Sequence, residues 1–164
     1  MSRLVLLFAL ALMSGCGLQP LYSGGSSGAV ARGLSTIQVA PIPEQGGWLI
    51  RNALVDRLGG EPAGPRYRLE VELDDDVTGF GIRGDSGVTR ERRTLRARYH
   101  LIDLSNGQVV LDATAGSDAG IDVVSSEYAT VAAERTALER LSSVVADQMV
   151  ARLALYVRRQ PATP

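Results

Sequence analysis

The sequence predicts an α+β fold: a two-layer sandwich with two helices packed on one face of a four-stranded, mostly antiparallel sheet. Three observations carry it. Residues 67–115 hold three segments that alternate apolar and polar side chains, the period of half-buried strands. Residues 126–156 change to a helical period over a long stretch. A shorter strand and helix precede both, so the order is strand, helix, three meandering strands, long helix. One apolar sheet face and one apolar stripe per helix need two layers to be buried.

The first strand is read at residues 35–40, which alternate and carry Thr36, Ile37 and Val39; Pro41 and Pro43 end it. Residues 48–58 then place Ile50, Leu54 and Leu58 on one helical stripe. Gly59-Gly60 supplies the stop, while Gly46 and Gly47 weaken the start. In residues 67–74, Tyr67, Leu69, Val71 and Leu73 alternate with Arg68, Glu70, Glu72 and Asp74. A Gly-rich loop is expected at 78–87. In residues 90–101, Leu95, Ala97, Tyr99 and Leu101 face inward, with Arg90, Arg92, Arg96, Arg98 and His100 outward. The next strand, 108–115, turns Val109, Leu111, Ala113 and Ala115 inward. A three-residue loop, Ser105-Asn106-Gly107, sets Leu101 opposite Leu111 and Tyr99 opposite Ala113, with Gly107 left-handed in a bulged turn. A two-residue loop would set Leu101 against Asp112.

The long helix presents Val131, Leu138, Leu141, Val145, Met149, Leu153 and Tyr156, the lid of the sheet. Ser125 or Ser126 can cap its start, and Arg158 and Arg159 suit its end. Residues 160–164 are expected to be a disordered tail.

Ahead of the domain stands Cys16, the one cysteine. Arg3 and the apolar run 4–13 precede it, with Ser14 and Gly15 at the junction. The run is too short to span a membrane, which takes ~20 apolar residues, and it fits a secretory signal peptide over residues 1–15. A free cysteine is usually buried, but residues 17–33 offer no core. The pattern therefore reads as a bacterial lipobox, with Met13 where leucine is usual and Cys16 acylated. Several acyl chains anchor stably where one binds marginally. Residues 16–33 are the acylated N-terminus and flexible tether, and 34–159 the folded domain.

Composition narrows the function. A net charge of −1 excludes a basic surface that coats nucleic acid. All seventeen basic residues are arginine, the better bidentate partner for phosphate and carboxylate. With Cys16 modified no disulfide can form, and a single His100 without a cysteine pair excludes the common zinc spacings. No phosphate-binding glycine loop and no H-E-x-x-H motif is present. The reading is of a protein that is not an enzyme and needs no cofactor or metal.

Several segments carry a family likeness. Residues 16–22 (Cys-Gly-Leu-Gln-Pro-Leu-Tyr) resemble the mature N-terminus of the lipopolysaccharide-assembly lipoproteins, LptE, in their alphaproteobacterial form. Residues 49–54, 126–129, 133–135, 146–148 and 152–156 look like the family's segments in the same order. Leu18, where an aromatic residue is common, and the Gly46-Gly47-Trp48 run depart from it. The resemblance implies a non-enzymatic subunit that plugs the outer-membrane β-barrel LptD and binds lipopolysaccharide. It also implies an outer-membrane position facing the periplasm, and Gly17 fits, since the aspartate that retains lipoproteins in the inner membrane is missing. The alternative is an auxiliary lipoprotein of a phospholipid-transport system.

For lipopolysaccharide, the candidate residues are Arg66, Arg68, Arg90, Arg92, Arg96 and Arg98, whose guanidinium forks suit lipid A phosphates. Pairing the strands about the loop at 78–87 would set Asp74 opposite Arg90 and Glu72 opposite Arg92, as plain ion pairs. The same register sets Arg96 and Arg98 opposite Arg68 and Arg66, a cluster that would need an anion.

Overall fold

The computed structural model describes residues 28–82 and 88–160. The signal segment, Cys16 and most of the tether lie outside the described residues, as do residues 161–164. The first described element corrects the tether: Ala29–Leu34 forms a short helix, α1. Leu34 is buried, and the lack of a side chain at Gly33 lets α1 close on Val157 near the chain's end. Six residues are too few to display a helical period.

Strand β1, Ile37–Val39, buries Ile37 and Val39 and pairs parallel to β2, so the sheet is mixed. Helix α2, Glu44–Leu58, begins four residues before the stripe suggested. Gly46 and Gly47 belong to it and are buried. A Cβ on Gly47 would lie 2.7 Å from the Ile42 carbonyl oxygen, so glycine there lets the chain fold back sharply from β1. Ile50, Leu54 and Leu58 enter the core as expected. Gly59, at φ 99°, ends the helix in the left-handed conformation.

Strands β2 (Tyr67–Ile82), β3 (Val88–Asp103) and β4 (Gln108–Asp122) meander in the order β1-β2-β3-β4. Each outruns its expected length. Glycines at 79 and 81 made the end of β2 read as loop, yet pairing across to Arg90–Arg93 keeps it extended. The β3–β4 register matches expectation at Leu101–Leu111 and Tyr99–Ala113. The turn differs. Asp103 pairs with Gln108 across a four-residue connection, and a bulge at Val110 restores the register. Gly107 is left-handed (φ 72°) and donates to the Asp103 carbonyl at 2.8 Å. The bulge also corrects Val109, which is 55% exposed, while Val110 packs toward the core.

Helix α3, Glu127–Arg159, has 33 residues. At 1.5 Å per residue it is ~50 Å long, the length of a 16-residue strand at 3.3 Å per residue. It therefore runs the whole sheet, whereas α2 covers about half. Ser126 caps its start, and Leu138, Leu141, Val145, Met149 and Leu153 are buried under it as expected. Tyr156 meets Tyr67 edge-on at 6.1 Å. Val131 is the exception, at 51% exposed. The N-terminus of α2 packs near Leu138, two turns further along α3, so Val131 lies beyond the reach of α2. Arg57 of α2 ties the helices together through Asp147 at 2.6 Å and Ser143 at 2.8 Å. Both helices lie on one sheet face; among the described residues no helix covers the other.

Candidate functional site

The bare face is built from even-numbered residues, because strand side chains alternate and the odd ones Leu69, Val71, Leu95, Ala97, Tyr99 and Leu101 fill the core. It places five of the six candidate arginines, Arg68, Arg90, Arg92, Arg96 and Arg98, in its middle two strands. Arg66 stands just ahead of β2, its guanidinium 5.1 Å from the centre of the Tyr67 ring.

The β2–β3 register corrects the expected grouping. Asp74 lies opposite Arg96 and Glu72 opposite Arg98, while Arg92 faces Thr78 and Arg90 faces Phe80. Arg68 pairs with Ile102, six positions from Arg96, or ~20 Å along the strand. The cluster of Arg66, Arg68, Arg96 and Arg98 is therefore not assembled. The reason lies on the opposite face. The expected register would have set Val71 against Arg93 and Leu73 against Glu91, charges beneath apolar side chains. The observed one matches Leu69 with Leu101, Val71 with Tyr99 and Leu73 with Ala97.

Carboxylates that the sequence reading did not weigh come from β4. Asp112 takes Arg98 at 3.1 Å and His100 at 3.2 Å. Asp118 lies 3.8 Å from Arg92, and Asp122 3.1 Å from Arg90. Their even numbering in one strand was the available signal, but Asp118 and Asp122 lay beyond the expected end at Ala115. Arg68 pairs along its own strand with Glu70 at 2.9 Å. Arg92 also lies over the Phe80 ring at 5.5 Å.

Arg96 differs from these. Among the described residues it has no ion pair within 4.0 Å, although Asp74 stands opposite in register. It lines a shallow cleft of about 300 Å³ with Thr94, Thr114, Gly116, Ser117 and Asp118. Gly116, directly across, leaves room for the stem of the arginine: a Cβ there would come within 3.2 Å of the Arg96 Cγ.

Hydrogen bonds from Arg98 hold the Asp112 carboxyl below its usual range, helped by the charges of Arg98 and His100. The Arg98 guanidinium is correspondingly held charged. On the covered face, Arg93 makes a two-pronged contact with Asp75 at 2.8 and 2.6 Å and donates to the Glu134 carbonyl of α3 at 3.2 Å. That contact fastens the sheet to the helix. It is structural, whereas the exposed face offers charge, hydroxyls and a cleft to a ligand. What the face offers an anion is local: Arg96 with Thr94 and Thr114 beside it, amid carboxylates that pair the other arginines.

Comparison with known proteins gives the same outline. The family model described as "LptE: Lipopolysaccharide-assembly" matches residues 34–153. The uncharacterized protein RP188 of Rickettsia prowazekii (strain Madrid E) is 28% identical over 160 residues, covering 98% of this chain and all of that protein. A Caulobacter crescentus crystal structure, described as that of a lipoprotein, superposes with a TM-score of 0.68 at 25% identity, over 81% of this chain and 100% of the other. The rare lipoprotein B of Shewanella oneidensis shares the fold at 7% identity, with a TM-score of 0.58 over 73% and 93% of the two chains.

Proposed function

Because the chain belongs to the LptE lipopolysaccharide-assembly family, we propose that it is an acylated outer-membrane subunit, anchored by Cys16 on the periplasmic side, that sits within or against an LptD-like β-barrel and binds lipopolysaccharide. It works by binding and placing its ligand, with no bond made or broken. The observation that carries the ligand assignment is Arg96. A guanidinium without an ion pair, flanked by Thr94 and Thr114 and facing a glycine, suits a phosphate by charge-assisted hydrogen bonds. Arg92 and Arg98 stand two positions to either side of the Thr94–Arg96 pair and extend the positive ridge, with Arg90 beyond. Their aspartates reduce what each offers an anion, so Arg96 is the centre. Arg66 and Arg68 lie outside it.

The test is charge reversal. Arg96→Glu should weaken binding to purified lipopolysaccharide roughly tenfold, the value of one charge-assisted bond, and leave the melting temperature within a degree or two. Unchanged affinity would remove Arg96 from the site. For the anchor, mass spectrometry of the mature N-terminus should show an acylated Cys16, and Cys16→Ala should leave uncleaved precursor or a soluble form. Extraction of native membranes should bring down a large β-barrel with the tagged chain.

A further inference from the structure

The outer edge of the sheet carries a device separate from the arginine ridge. Among the described residues β4 is an edge strand, fifteen residues long. At its middle, the side-chain amide of Gln148, from α3, makes two hydrogen bonds to one residue. Gly116 N–H donates to Gln148 Oε1 at 3.1 Å, and Gln148 Nε2 donates to the Gly116 carbonyl at 3.3 Å. A neighbouring strand would offer the same donor and acceptor. Gln148 thus occupies the place of a peptide group from a missing fifth strand.

The contact also fixes which way the edge points. In an antiparallel ladder successive residues turn their peptide groups alternately toward and away from the partner. Gly116 bonds away from β3, and the register runs without a shift from Leu101 to Arg90. Thr114, Asp118 and Gly120 therefore direct their N–H and C=O groups to the same open side. Natural edges are commonly blunted by lysine, proline or bulges. Here the bulge lies back at Val110, and residues 113–120 read Ala-Thr-Ala-Gly-Ser-Asp-Ala-Gly. Glycine inside a strand marks close approach of another backbone. A Cβ on Gly120 would meet nothing within 4 Å. Clefts of about 300 and 380 Å³ flank the Gln148 contact.

We propose that the β4 edge is a docking site for an extended segment of a partner polypeptide, which adds as a fifth strand and displaces the Gln148 amide. The charge on β4 states the partner's chemistry. The strand carries Asp112, Asp118 and Asp122 and no basic residue; each meets an arginine of β3 on its inner side yet stays about half or more exposed, so an incoming strand with arginine or lysine opposite those three positions continues the alternation of charge across the sheet. Main-chain bonds to Thr114, Gly116, Asp118 and Gly120 supply affinity, and the aspartates select. Gln148 keeps the edge closed to strands that lack those contacts.

The experiment uses the full chain in detergent and a fluorescent ten-residue peptide alternating valine with arginine, read by anisotropy. Gln148→Ala removes the internal competitor and should tighten binding about fivefold, the worth of one net hydrogen bond. Gly120→Pro deletes an outward N–H without a clash, as an edge strand tolerates, and should weaken binding at least fivefold with circular dichroism unchanged. A peptide alternating valine with glutamate should not bind. Equal affinity of all three proteins for the arginine peptide would overturn the proposal. So would Gln148→Ala dimers in sedimentation without peptide binding, since the occupant would then be a second copy of the chain.

Discussion

Asp112 is the residue on which the exposed face converges, accepting from Arg98 first and then His100. Its carboxyl is held below the usual range. Its contribution to stability is therefore fully present above the unfolded-state value, ~3.9, and is lost as pH falls through the lower folded-state one. Arg98→Ala should move the Asp112 titration upward, toward the ordinary range, in a carbon-detected NMR titration. An unmoved curve would mean that the hydrogen bonds do not set it. Arg93 and Asp75 make the opposite case, since their side chains are only 14% and 19% exposed. Removing Arg93 takes two hydrogen bonds from Asp75 and the tie to the Glu134 carbonyl of α3. Arg93→Ala should cost about 1.5–3 kcal/mol in urea unfolding, the value of hydrogen bonds to a charged group, whereas Arg93→Met combined with Asp75→Leu should cost less than the single change.

The start of α2 turns on two adjacent glycines that the sequence cannot tell apart. A Cβ at Gly46 would sit 3.4 Å from the Leu138 Cδ1, an ordinary contact, while one at Gly47 would strike the Ile42 backbone at 2.7–2.8 Å. Both positions are helical, where alanine outranks glycine by ~1 kcal/mol. Gly46→Ala should therefore raise the melting temperature. Gly47→Ala should lower it, at a net loss of about 1–3 kcal/mol, because backbone must shift. Equal effects would show that Ile42 yields. At the head of α3, Ser126→Ala should cost ~1 kcal/mol, the usual value of an N-cap, since Ser126 Oγ accepts from Ala129 N–H.

Over the whole molecule, the helix layer and the sheet differ in reach. α3 follows the strands to their far end, but α2 stops short, so the far β2–β3 hairpin is covered thinly. Trp48, Val77, Tyr128 and Val131 are exposed in that region. Local stability follows burial. Amides of residues 78–80 and 89–92 should exchange with deuterium at least tenfold faster than those of residues 69–71 and 97–101 when read by mass spectrometry. Uniform protection would show a single cooperative sheet. The chain enters at the other end, where α1 meets the last turns of α3. The N-terminal side and the open hairpin thus lie at opposite ends of the sandwich.

Alternation and helical period belong to single segments, and these the sequence determined by itself. It placed Leu95, Ala97, Tyr99 and Leu101 in the core, put Leu138 to Leu153 on the buried stripe of α3, and, apart from α1, laid out the order of elements and the two-layer fold. The five outward arginines were legible for the same reason. Which carboxylate meets which arginine was not, because that depends on strand pairing across a loop whose length alternation does not fix. Apolar matching of Val71 with Tyr99 and Leu73 with Ala97 decided it, moving Asp74 from Arg90 to Arg96. Tertiary structure likewise decided Val109, turned outward by a bulge, and Gly47, required by the close passage of Ile42. The pairing of Gln148 with Gly116 joins residues thirty-two apart. No local pattern announces such a contact, since it exists only once α3 has been laid along β4.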